Sequence, residues 1–140
     1  MTQITKAVNE PILSFAAGSP ERTSLQAKYD EMATQTIEIP LIIDGKEIKT
    51  GDTGNCVMPH NHQHVLATYH NAGETEVIQA IDSAMKSWKT WSKTSLEERT
   101  KIFRKAAELL QGPWRDTINA ATMLNQSKNA FQAEIDAACE

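Results

Sequence analysis

Cysteine is scarce. Two occur in 140 residues, Cys56 and Cys139, far apart and not in a C-x-x-C pair. That excludes a disulfide framework and leads us to expect a reducing compartment, the cytoplasm. A basic excess is also missing. Fourteen Lys and Arg against eighteen Asp and Glu give a formal net charge of −4, which excludes a nucleic-acid backbone as the natural partner. No apolar run approaches the roughly 20 residues that a membrane-spanning helix needs. The start, MTQITKAVNEP, has neither the apolar stretch of a secretory signal nor the arginines of a transit peptide. G-x-G-x-x-G, the Walker A loop, G-x-S-x-G and H-E-x-x-H are all absent. The short motifs of nucleotide binding, serine hydrolysis and zinc proteolysis are therefore not written in this chain.

What is present suits one small globular domain or part of a larger one: 40% hydrophobic and 23% charged residues. Residues 1–18 read as an extended arm, because Pro11 biases Glu10 away from the helical region. Ser19, Pro20 and Glu21 then form a helix start, with a good N-cap, a proline at the first position and an acid at the positive end of the dipole. A helix over 20–33 is predicted. Ile39 to Ile43 is apolar and β-branched, and Asp44-Gly45 supplies a tight hairpin turn, so Lys46 to Thr50 should return antiparallel. Cys56 to Met58 and Val65 to His70 add two short strands around a Pro59–His62 turn. The expectation is a small antiparallel meander.

From Val77 the period becomes helical, through Ile81, Met85, Trp88 and Trp91. Gly73 and Thr75 both remain open as its cap. Ser95 with Glu98 is a capping box, and Leu96, Ile102, Phe103, Ala106 and Leu110 form the apolar stripe of the helix that follows. Gly112-Pro113 ends it. Another helix should run from Trp114 to about Leu124 with Ile118, Ala121 and Leu124 inward, and a last one from near Asn129 that carries Phe131, Ile135 and Ala138. The fold class is α+β: an arm and helix, the meander, then a helical bundle.

Few residues invite chemistry. His60, His62 and His64 would share one face of a strand, within reach of a metal ion. Pro59 and Asn61 favour a turn instead, and no fourth ligand stands in the run, so no metal is expected. Cys139 lies at the unfavourable end of its helix and Cys56 at a strand start with no base nearby; both read as inert thiols. Trp88, Trp91 and Trp114 are taken as packing residues, not base-stacking platforms. Glu134 stands beside the apolar Ile135. It is either a solvated edge residue or a carboxylate aimed into a site.

The ordered pieces resemble the N-terminal region of aldehyde dehydrogenases. They are the hairpin Ile43 to Ile48, the turn and strand Pro59 to Thr68, the Trp88-to-Trp91 helix end, the capped helix Ser95 to Leu110, and the segment Ser127 to Ala138. Asn9 to Phe15, Gly18 to Arg22, Pro59 to Ala67 and Met123 to Ala138 are similar to the 1-pyrroline-5-carboxylate dehydrogenase branch in particular. The likeness runs from about Asn9 to Glu140. It implies NAD-dependent oxidation of glutamate γ-semialdehyde to glutamate in proline breakdown. In that reaction a cysteine thiolate attacks the aldehyde, hydride passes to NAD, and a glutamate activates the water that frees the acid.

The family is several times longer. Its catalytic cysteine, general base and main NAD-contacting segments fall beyond Glu140. The resemblance therefore assigns no catalytic, cofactor-binding or metal residue here, and residues 19–140 become the truncated first part of the cofactor-binding domain. It implies that the helices pack on a Rossmann-like α/β domain, with the remainder of the parent enzyme as partner and a small molecule as the parent's substrate. NAD is expected in the parent and not in this piece, which should be inactive and prone to self-association. By position, Glu134 is expected to meet the substrate ammonium. The alternative is a stand-alone, non-catalytic binding module.

Overall fold

The computed structural model describes residues 9–138. The expectations for Cys139 and for residues 1–8 of the arm lie outside the described residues. From residue 9 the arm runs without regular structure to a turn at Ala17-Gly18, and Phe15 within it takes φ 49°. Helix α1 spans Pro20–Ala33, and the Ser19 hydroxyl accepts from Arg22 N at 3.3 Å, as the sequence predicts. It lies against α4 (Arg115–Gln126). Phe15, Leu25 and Ala120 are buried between arm, α1 and α4, with Leu13, Tyr29, Met32 and Met123 around them.

The expected single meander is corrected. Strand β1 covers Ile37–Ile39 and β2 covers Leu41–Ile43. Pro40 separates them, since it has no N–H to donate to a ladder. The chain changes sheets there. β2 pairs antiparallel with β3 (Lys46–Ile48) through the Asp44-Gly45 turn, whose φ values of 54° and 70° match the hairpin chemistry. β1 instead lies parallel to β5 (Asn61–His70), with Ile37 opposite Ala67. β5 also pairs antiparallel with β4 (Thr53–Met58), giving the order β1-β5-β4. Gly54 faces Tyr69 so closely that a Cβ there would lie 2.5 Å from the tip of the ring, and a larger residue would displace the tyrosine side chain. The turn before β5 is only Pro59-His60, shorter than expected.

Helices α2 (Glu74–Trp91) and α3 (Leu96–Gln111) form where the periodicity places them. Gly73 is the N-cap of α2, and its N–H donates to Glu76 Oε2 at 2.8 Å. The Ser95–Glu98 capping box is made in both directions. The expected bundle is only partly closed. α2 touches β2 and α3 touches α4, yet neither helix buries a residue. α4 begins at Arg115, one residue later than expected, and runs on to Gln126. Asn129 caps a short α5 (Ala130–Ala133), and a π-helical turn follows over Glu134–Ala138.

Candidate functional site

The most enclosed polar cluster centres on Glu134. Its side chain is fully buried, as is Asn119, and Arg115 is 9% exposed. Arg115 and Asn119 stand four apart on α4, so one helix face presents both to the start of the π turn. Arg115 grips the carboxylate in a fork: Nε donates to Oε2 at 3.2 Å and Nη2 donates to Oε1. Asn119 Nδ2 donates to Oε2 at 2.7 Å. The arm completes the shell. Leu13 N donates to Oε1 at 3.0 Å, and Arg115 Nη2 donates to Pro11 O at 2.8 Å. One ion pair thus holds both a donor and an acceptor of the arm's backbone. The Asn119 amide must turn its NH2 to the carboxylate, and its Oδ1 is left without a partner among the described residues.

Burial alone would push the Glu134 carboxyl up. Hydrogen bonds from Arg115, Leu13 N and Asn119, together with the Arg115 charge, outweigh it and hold the group below its ordinary value. A carboxylate depressed in the folded state contributes stability above its unfolded value, and that stability is lost as pH falls through the folded value. Urea midpoints are expected to change little on this account from neutral pH down to about 4.5, and to fall below it. In Glu134→Gln the fall should be shallower; an unchanged acid limb would remove Glu134 as its source.

The histidines separate. His60 sits in the turn, with Nδ1 2.7 Å from Ser127 Oγ, while His62 and His64 belong to β5. Among the described residues no group of three or more His, Cys, Asp or Glu has metal-holding geometry. Cys56 is half-buried, and its thiol donates to Asn125 Oδ1 at 3.0 Å, an acceptor that cannot take its proton. Trp88, Trp91 and Trp114 are exposed.

The fourth histidine, His70, went unread in the sequence. It is buried, and Gly51 N donates to its Nδ1 at 3.2 Å. Its proton is therefore on Nε2, which donates to Glu38 Oε1 at 2.9 Å. Lys49 pairs with the same carboxylate. Hydrogen bonds from Lys49 and then His70 lower the Glu38 carboxyl from its ordinary value. The trio ties β1 and β5 to the segment after β3. Arg115 and Asn119 were missed as well. Their signal was present, as two polar residues at helical spacing beside Ile118, Ala120 and Ala121.

The aldehyde dehydrogenase family profile matches residues 47–139. This chain belongs to that family. It is 44% identical over 139 residues to a delta-1-pyrroline-5-carboxylate dehydrogenase of Agaricus bisporus, an alignment covering 99% of this chain and 26% of that one. The mitochondrial delta-1-pyrroline-5-carboxylate dehydrogenase of Rattus norvegicus is 42% identical, over 96% of this chain and 24% of its own length. Among solved structures, Delta-pyrroline-5-carboxylate dehydrogenase from Mycobacterium tuberculosis matches with a TM-score of 0.96 and 40% identity, covering 100% of this chain and 26% of that one. That enzyme has also been solved with NAD bound. The chain thus spans about a quarter of the length of these relatives. Among the described residues, no helix is long and apolar enough to cross a membrane.

Proposed function

We propose that this chain is the N-terminal quarter of an NAD-dependent dehydrogenase that oxidises 1-pyrroline-5-carboxylate, through its open form glutamate γ-semialdehyde, to glutamate. The observation that carries this is end-to-end agreement: relatives named for one activity align with 94–99% of the chain at 39–44% identity, and the backbone follows a solved one at a TM-score of 0.96. The uncovered faces of α2 and α3 support it, since they suit helices that meet a further layer of polypeptide, here the Rossmann-like domain. Residues 19–140 are then the first part of the cofactor-binding domain.

The described residues do not themselves fit a dinucleotide. The N-termini of α2 and α3 are closed by Glu76 and Glu98 of their own first turns, and no glycine-rich loop precedes either. NAD binding is assigned to the remainder of the parent enzyme. Glu134, expected to meet the substrate ammonium in the parent, is proposed here as a residue that positions Arg115, Asn119 and the arm. Its carboxylate is bonded by Arg115, Asn119 and Leu13 N, so a substrate ammonium would have to displace one of them. The proposed compartment remains the cytoplasm, although the rat relative carries "mitochondrial" in its name.

Expressing the whole reading frame tests the proposal. The whole protein is expected to reduce NAD with pyrroline carboxylate, and the purified 140-residue chain to give no NADH above background. Turnover by this chain alone would overturn the second half. A reading frame that stops after Glu140 would overturn the first and favour a stand-alone binding module.

A further inference from the structure

Strand β1 is an edge. In the order β1-β5-β4 each outer strand has one side without a ladder partner among the described residues. The two edges are built differently. β4 carries register shifts at Cys56/Val57 and Val57/Met58, and such bulges blunt an edge against further pairing. β1 has none, and its residues keep one register with β5. Ile37 is 53% exposed and Ile39 43%, and both line an apolar cavity of about 200 Å3 with Met32, Leu66, Ala121 and Leu124. Glu38, between them, points to the opposite face, where Lys49 pairs with it and His70 donates to it. The edge therefore offers unpaired peptide groups and an apolar face, and its one charge is already met. Such peptide groups are completed by one chemistry, another extended backbone.

We propose that β1 is completed by a strand from the part of the parent enzyme beyond Glu140, with apolar side chains at alternate positions beside Ile37 and Ile39. This rests on the reading of the chain as a quarter of that enzyme, which leaves about three quarters of the polypeptide to supply the strand. A second copy of this chain is the poorer occupant. Three residues span about 10 Å, a strip too small to bury the roughly 800 Å2 per partner of a stable interface. A strand on the same polypeptide is held near by its connection and needs no such area.

Amide hydrogen exchange at Ile37, Glu38 and Ile39, compared between the 140-residue chain and the whole protein, is the test. Pairing with β5 alone engages alternate amides of β1, so in the short chain those facing away should exchange fast. In the whole protein the same amides should slow on the order of 100-fold or more. Outward amides that stay fast in a whole protein that reduces NAD with pyrroline carboxylate would overturn the strand and leave the proposed function standing. Outward amides that slow in a whole protein without that activity would do the reverse. A reading frame that stops after Glu140 would overturn both. A crystal structure of the whole protein identifies what gives the protection: an extended segment about 5 Å from β1 is expected, and a helix or loop there would overturn the proposal.

Discussion

Glu134→Ala is expected to cost about 3–5 kcal/mol, the range for breaking a buried ion pair by removing one partner. The loss leaves the buried Arg115 fork and Asn119 amide without their acceptor, and frees the half-buried Leu13 N–H. Ordinary domains have about 5–15 kcal/mol of stability in all, so the variant should be largely unfolded under mild urea. Arg115→Ala should cost a similar amount, because a bare carboxylate is then buried. The pair as a whole is worth far less than either single loss suggests, since desolvating both charges offsets most of their attraction. Arg115→Met combined with Glu134→Leu should therefore be more stable than either alanine variant. It should not regain the parent's stability, because the buried Asn119 amide loses its acceptor, at about 1–3 kcal/mol for a buried group left unsatisfied. Urea midpoints of the parent, Arg115→Met, Glu134→Leu and the Arg115→Met/Glu134→Leu double variant close the cycle. Additive losses would show that the two side chains act separately and would contradict the fork geometry. Limited proteolysis gives a second readout: cleavage between Pro11 and Phe15 should accelerate in both single variants, since the arm's backbone is held by these two residues.

The parts legible in the sequence are those fixed within a few residues. Ser19, Ser95 and Asn129 each cap the helix that follows them, and Asp44-Gly45 makes its turn, because each needs only a side chain and a neighbouring N–H or a permitted φ. What escaped depends on distant partners. β1 pairs with β5 some thirty residues on, and only Pro40 hinted that the apolar run Ile39–Ile43 belongs to two sheets. Glu134 was legible as an unusual residue but not as a clamp. Its partners lie 15, 19 and 121 positions away, and no local rule joins them. The amphipathic stripes of α2 and α3 were legible as stripes. Periodicity says that a face is apolar and is silent on what covers it, which is why those side chains, read as packed, are exposed.

Those faces carry the second large expected effect. Ile81, Met85 and Trp88 on α2 and Ile102 and Phe103 on α3 are between 55% and 68% exposed. Burying one such side chain fully is worth about 1.5–3 kcal/mol, so five together offer on the order of 10 kcal/mol of gross attraction. Association costs an estimated 4–15 kcal/mol in lost freedom and ordering. The two are comparable, which points to weak, concentration-dependent self-association and not to a permanent oligomer. Sedimentation velocity is expected to show a weight-average mass rising from micromolar towards millimolar chain. Trp88→Lys with Phe103→Lys should suppress that rise and leave the urea midpoint almost unchanged, since neither residue belongs to the Phe15–Leu25–Ala120 core. In the proposed whole enzyme the same two substitutions should do the opposite. The positions would be covered, and charge placed there would destabilise the protein without a bearing on its association. A monomer throughout the range, or a rise that survives both lysines, would mean that these faces are not the adhesive ones, and the argument that they await further polypeptide would lose its physical support.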